Sequence, residues 1–139
     1  MAKLKIVIFE DDSDFAEMLQ TILVMSGHDV EAFPDPSLCP IYRDHELCCS
    51  KGSPCAEVII SDHRMPIITG LDFFKLQRER GCKALDQNKV VISGSVLDEE
   101  MRRDIEGLGC HFIRKPFKMN ELLAWVDECA ERIEATEPS

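Results

Sequence analysis

Glu57-Val58-Ile59-Ile60-Ser61-Asp62-His63-Arg64-Met65-Pro66, running on through Ile67-Ile68-Thr69 to Gly70, is the stretch whose reading decides the fold. A short apolar run, Val58 to Ile60, meets a carboxylate, and Pro66 and Gly70 follow. Such a run predicts a strand buried on both faces, as in a parallel sheet. The Pro and Gly mark an irregular loop before the next helix. Asp62 then stands at the carboxyl end of a central strand, where open α/β sheets place their ligand sites. An Asp that merely ends a strand is the plainer reading of this stretch alone, so the weight falls on its surroundings.

Toward the N-terminus, Lys5-Ile6-Val7-Ile8-Phe9 is a second apolar run, closed by Glu10-Asp11-Asp12. Ser13 or Asp12 can cap the helix that follows. Phe15, Met18, Leu19, Ile22 and Leu23 fall at helical spacing, and the pattern stops at Gly27. A short strand is expected over 30–33. Toward the C-terminus, Leu71, Phe73, Phe74 and Leu76 begin a helix ending near Gly81. Val90-Val91-Ile92 is the fourth strand and closes in Ser93-Gly94-Ser95. A charged amphipathic helix is expected over 98–108, with Met101, Ile105 and Leu108 on one face. Phe112-Ile113 is a short fifth strand, followed by Arg114-Lys115-Pro116-Phe117. The last helix, from Asn120 to about Ala135, carries Leu122, Trp125, Val126, Cys129 and Ile133. Strand alternating with helix predicts a parallel sheet with helices on both faces and right-handed crossovers.

A chain of 139 residues is one domain with room for a real core. We expect that domain over 1–135, with a polar tail over 136–139. A hydrophobic fraction of 45% is that of a globular protein rather than a disordered one. A formal net charge of -10 and a pI near 4.8 argue against nucleic-acid binding by this domain. No apolar run approaches the roughly 20 residues of a membrane span, and the N-terminus lacks a signal-peptide core. The expectation is a cytoplasmic protein with no membrane partner. Seven cysteines, an odd number without a secretion signal, argue against a disulfide framework.

In a parallel sheet the strand ends share one edge. Glu10 and Asp11 after the first strand, Asp62 after the third, Ser93 after the fourth and Lys115 after the fifth therefore converge. Crowded carboxylates repel one another and favour a hard cation; an all-oxygen set suits Mg²⁺. A lysine and a hydroxyl opposite it can neutralise and hydrogen-bond a phosphoryl group. The chemistry assembled is nucleophilic catalysis by a carboxylate, with an acyl phosphate on Asp62. The Lys115–Pro116 bond can be cis and so aim the lysine inward.

These motifs resemble the receiver domain of bacterial two-component response regulators, over nearly the whole chain from Leu4 to about Ile133. They are Ile6-Val7-Ile8-Phe9-Glu10-Asp11-Asp12, Ile59-Ile60-Ser61-Asp62-His63-Arg64-Met65-Pro66, Val91-Ile92-Ser93-Gly94 and Lys115-Pro116-Phe117. The resemblance implies a flavodoxin-like doubly wound five-stranded sheet of order 2-1-3-4-5, helices on both faces, the order known for the chemotaxis member of that family. It implies Asp62 as phosphoacceptor and Glu10, Asp11, Asp62 and the backbone carbonyl of Arg64 around Mg²⁺. Ser93 and Phe112 become the switch pair, and Lys115 the partner of the phosphoryl group. A histidine kinase or phosphotransfer protein would supply the phosphoryl group, and a downstream protein would read it. The Arg64 side chain, with Ser95, would flank the path of an attacking water, with either sign of effect. His63 and His111 have no evident partner, and Trp125 reads as packing.

The chain departs from the resemblance between the second and third strands. A helix can run over 36–47, but the atypical segment 38–55 holds Cys39, His45, Cys48, Cys49 and Cys55. Four thiols and one imidazole can form a Zn²⁺ site or hold an iron–sulfur cluster, although no C-x-x-C is present. They can equally be reduced thiols packed as small hydrophobes. Two rival functions follow. One is a metal- or redox-sensing module using this segment; the other is a phosphohydrolase with its nucleophile at Asp11 or Asp12. The expectation is a non-enzymatic phosphoacceptor.

Overall fold

The computed structural model describes residues 3–35, 56–65, 67–80, 86–94 and 96–136. The candidate thiol site (Cys39, His45, Cys48, Cys49, Cys55) and the helix expected over 36–47 lie outside these residues, as does Ser95.

Five strands form one parallel sheet: β1 (Lys5–Phe9), β2 (Asp29–Phe33), β3 (Val58–Asp62), β4 (Lys89–Ser93) and β5 (His111–Arg114), in the order β2-β1-β3-β4-β5. The helices described are α1 (Ser13–Met25), α2 (Gly70–Glu79), α3 (Glu99–Leu108) and α4 (Met119–Thr136). The expected sheet order is the one observed. Register places Phe9 beside Ser61, Asp62 beside Ile92 and Ser93 beside Arg114, so the carboxyl ends of β1, β3, β4 and β5 form one edge.

Alternation along the strands divides the core. Ile6, Ile8, Val58, Ile60, Val90, Ile92 and Ile113 face Leu19 and Leu23 of α1 and Leu122, Trp125 and Val126 of α4. The opposite face sets Phe9, Ile59 and Val91 against Leu71, Phe73 and Phe74 of α2 and Met101 and Leu108 of α3. Two covered faces explain why the strands read as unbroken apolar runs.

Helix ends follow local chemistry. Asp12 caps α1 by accepting from the backbone N–H groups of Asp14 and Phe15, and Asp98 caps α3 through the N–H of Met101. Gly27 and Gly109, at φ 98° and 75°, take the left-handed turns that follow α1 and α3. Two boundaries differ from expectation: α2 starts at Gly70 behind a Thr69 cap and stops at Glu79, short of Gly81. A 3-10 turn, Asp86–Asn88, precedes β4 and had no periodic signal. The charged Lys89 that opens β4 is wholly buried, its Nζ 3.1 Å from Asp86 Oδ1 and 5.6 Å from the centre of the Phe74 ring.

Candidate functional site: an acid pocket at the strand ends

The backbone brings the site residues to the sheet edge. The Glu10 N–H donates to the Phe33 carbonyl (2.9 Å), so the acidic stretch starts on the β1–β2 ladder. Asp62 is the last residue of β3. The His63 N–H donates to the Ile92 carbonyl (2.9 Å), and the Lys115 N–H donates to the Ser93 carbonyl (2.8 Å). Lys115 therefore emerges directly beside the end of β4, and its bond to Pro116 is cis.

Gly70 fixes the other side of Asp62. A Cβ there would lie 2.7 Å from the Asp62 carbonyl oxygen and 3.1 Å from Ser61 Oγ. The Gly70 N–H donates to the His63 carbonyl (3.0 Å), closing the loop that begins at His63. Met65 is buried in the α2–α3 side of the core and anchors that loop.

Glu10, Asp11 and Asp62 each offer a carboxylate oxygen within 4.8 Å of the others. Lys115 Nζ reaches Asp62 Oδ1 at 3.5 Å and Glu10 Oε1 at 3.6 Å. Glu10 is buried and Asp11 exposed. Burial, then the Asp62 charge, push the Glu10 carboxyl up to about 7 despite the opposing pull of Lys115. One ammonium does not offset three crowded carboxylates. An oxygen-only donor set with that excess of negative charge fits a hard divalent cation. Arg64 follows Asp62 closely in the loop, with its side chain in solvent.

Ser93 is buried at the end of β4, while Gly94 next to it is exposed. Phe112 is half-buried and packs on the α2–α3 side of the sheet. A family model described as the response regulator receiver domain matches residues 6–127 of this arrangement. The chain belongs to that family.

As a receiver domain, it works in two-component signalling as a phosphoacceptor module, and family membership implies histidine kinases or phosphotransfer proteins as partners. Solved structures agree with the fold. The N-terminal domain of an uncharacterised protein from Wolinella succinogenes is 27% identical at a TM-score of 0.76, covering 96% of this chain and 99% of that one. A response regulator receiver protein from Pseudomonas putida is 26% identical at 0.73, covering 92% and 98%. The chemotaxis protein CheY4 of Vibrio cholerae shares 22% identity and the fold at 0.72, covering 92% and 99%. No curated protein matches this chain in sequence.

Neither the receiver fold nor these relatives favour the two rival functions. Asp12, one candidate nucleophile of a phosphohydrolase, is engaged in capping α1. Among the described residues, no helix is long and apolar enough to cross a membrane. Two residues left without partners on sequence alone acquire surroundings. The His111 ring stacks on Trp125, centroids 5.7 Å apart and planes 8° from parallel. His63 Nδ1 is buried with no hydrogen-bond partner among the described residues.

Aromatic contacts in the site escaped the sequence reading. Phe15, read as one residue of an apolar helix stripe, places its ring over Lys115 Nζ, and Phe117 abuts that ring edge-on. Helical spacing carries no signal for such a contact.

Proposed function

We propose that Asp62 is the phosphoacceptor of this receiver domain and that Glu10, Asp11, Asp62 and the Arg64 carbonyl hold Mg²⁺. The observation that supports this reading is the meeting of Glu10, Asp11 and Asp62 with Lys115 at one sheet edge. The bound cation would offset the negative charge of the carboxylates and of an incoming phosphoryl group.

The chain's own groups do the rest. An Asp62 carboxylate oxygen attacks the phosphorus of a phosphohistidine on a kinase or phosphotransfer protein. An O–P bond forms as the N–P bond breaks, and the imidazole leaves with the electron pair. Lys115 pairs with the phosphoryl oxygens, and the Ser93 hydroxyl hydrogen-bonds them. Drawing Ser93 toward the phosphoryl group biases Phe112 inward, which shifts the surface of α3, β5 and α4 toward its partner-binding form. The product is a signalling state read by protein contact, and the chain accepts one phosphoryl group rather than turning over phosphate esters.

Incubating the protein with Mg²⁺ and a small acyl-phosphate donor should add one hydroxylamine-sensitive phosphoryl group by intact mass. Asp62→Asn should remove it. Adduct formation that survives this substitution would overturn the assignment.

A further inference from the structure

We infer that Phe15 is a positioning residue for phosphotransfer, its ring holding the Lys115 ammonium in the acid pocket. The inference rests on the reading of Lys115 as the partner of the phosphoryl oxygens.

Lys115 Nζ stands 4.4 Å from the centre of the Phe15 ring, inside the roughly 6 Å over which an aromatic quadrupole attracts a cation. Its ionic contacts are looser, at 3.5 Å to Asp62 and 3.6 Å to Glu10. A closed charge-assisted hydrogen bond would measure about 2.7–2.9 Å. Two carboxylates thus attract the ammonium without fixing it, and the side chain keeps 32% of its surface exposed. A flexible four-carbon stem in that setting has freedom to lose before it can meet a phosphoryl group. The Phe15 ring closes one side of that freedom.

The ring is itself held from two directions. The Phe15 backbone N–H donates to Asp12 Oδ1 (3.2 Å), which ties the residue to the capped start of α1. Phe117 meets the ring edge-on, with centroids 6.1 Å apart and planes at 72°. Phe117 lies two residues beyond Lys115, so the aromatic pair joins the first turn of α1 to the segment that carries the lysine. An aliphatic side chain of similar volume would fill the space and shield the ammonium from water without attracting it.

A small acyl-phosphate donor tests this with the full chain, since no protein docking face then enters the rate. Phe15→Leu should slow phosphorylation roughly three- to tenfold, whereas Phe15→Tyr should stay within about twofold of wild type. In a Lys115→Ala background, Phe15→Leu should cause no further loss. The Lys115 ε-methylene resonance, recorded without Mg²⁺ or donor, should show an upfield ring-current shift that Leu abolishes and Tyr keeps. A wild-type rate in Phe15→Leu, an equal loss in the Lys115→Ala background, or no ring-current shift would each overturn the inference. Failure of the wild type to be labelled at Asp62 would overturn the phosphoacceptor reading instead, and the ring-current signal would still report on the contact.

Discussion

Glu10 binds its proton differently in the folded and unfolded chain, and that difference is a stability term. Its carboxyl lies at about 7 in the native protein against an ordinary 4.5. Between those values the folded chain holds a proton that the unfolded chain has lost, so stability is present at low pH and falls as pH rises through 7. The gap corresponds to roughly 3 kcal/mol at most. His63 and His111, both pulled down by burial, act in the opposite sense: their contribution is present above 6.5 and is lost as pH falls. Glu10→Gln isolates the carboxyl. In chelator, urea midpoints from pH 5 to 8 should show wild type losing about 1–3 kcal/mol relative to the variant as pH rises. Parallel curves would contradict the assignment. Asp62, Asp11, Ser93 and Lys115 were legible because each follows an apolar run, and a parallel sheet sends all such ends to one edge. The elevated Glu10 carboxyl and the Phe15 ring were not, since both depend on which neighbours packing supplies.

At the scale of elements, the joint between β3 and α2 carries the geometry of Asp62. Ala is a better helix former than Gly by about 1 kcal/mol, so propensity alone favours Gly70→Ala. Packing opposes it, because the new methyl would sit 2.7 Å from the Asp62 carbonyl oxygen. Contact with backbone cannot be relieved by a side-chain rotation, so the steric term should win: destabilisation of roughly 1–3 kcal/mol and slower phosphorylation. Gly107, inside α3 with nothing within 4 Å of an added Cβ, is the control. Gly107→Ala should stabilise by about 0.5–1 kcal/mol. Chemical denaturation of both variants checks the pair, and the same sign for the two would refute the steric argument. Strands were legible to within a residue or so because buried runs are short and bounded. Helix starts were legible where an acid caps them, as at Asp12 and Asp98. Lys89 shows the limit, since nothing before β4 signals that a lysine will be buried against Asp86 and Phe74.

For the molecule as a whole, the acid pocket is a product of folding. Its carboxylates come from the ends of β1 and β3, far apart in sequence, and the unfolded chain has no such site. A cation that binds there should stabilise the native state by mass action, about 2.7 kcal/mol at one hundred times its Kd. For a domain of this size that is a rise in Tm of roughly 9 °C. The net charge of -10 complicates the measurement, because any salt relieves self-repulsion across the surface. Mg²⁺ should therefore be compared with NaCl at equal ionic strength. A site-bound ion gives a shift that saturates with concentration and exceeds the NaCl shift, and Asp11→Asn should reduce it to the NaCl level. A rise in Tm that follows ionic strength alone, or that Asp11→Asn leaves intact, would mean that Mg²⁺ screens the surface and the three carboxylates do not form its site.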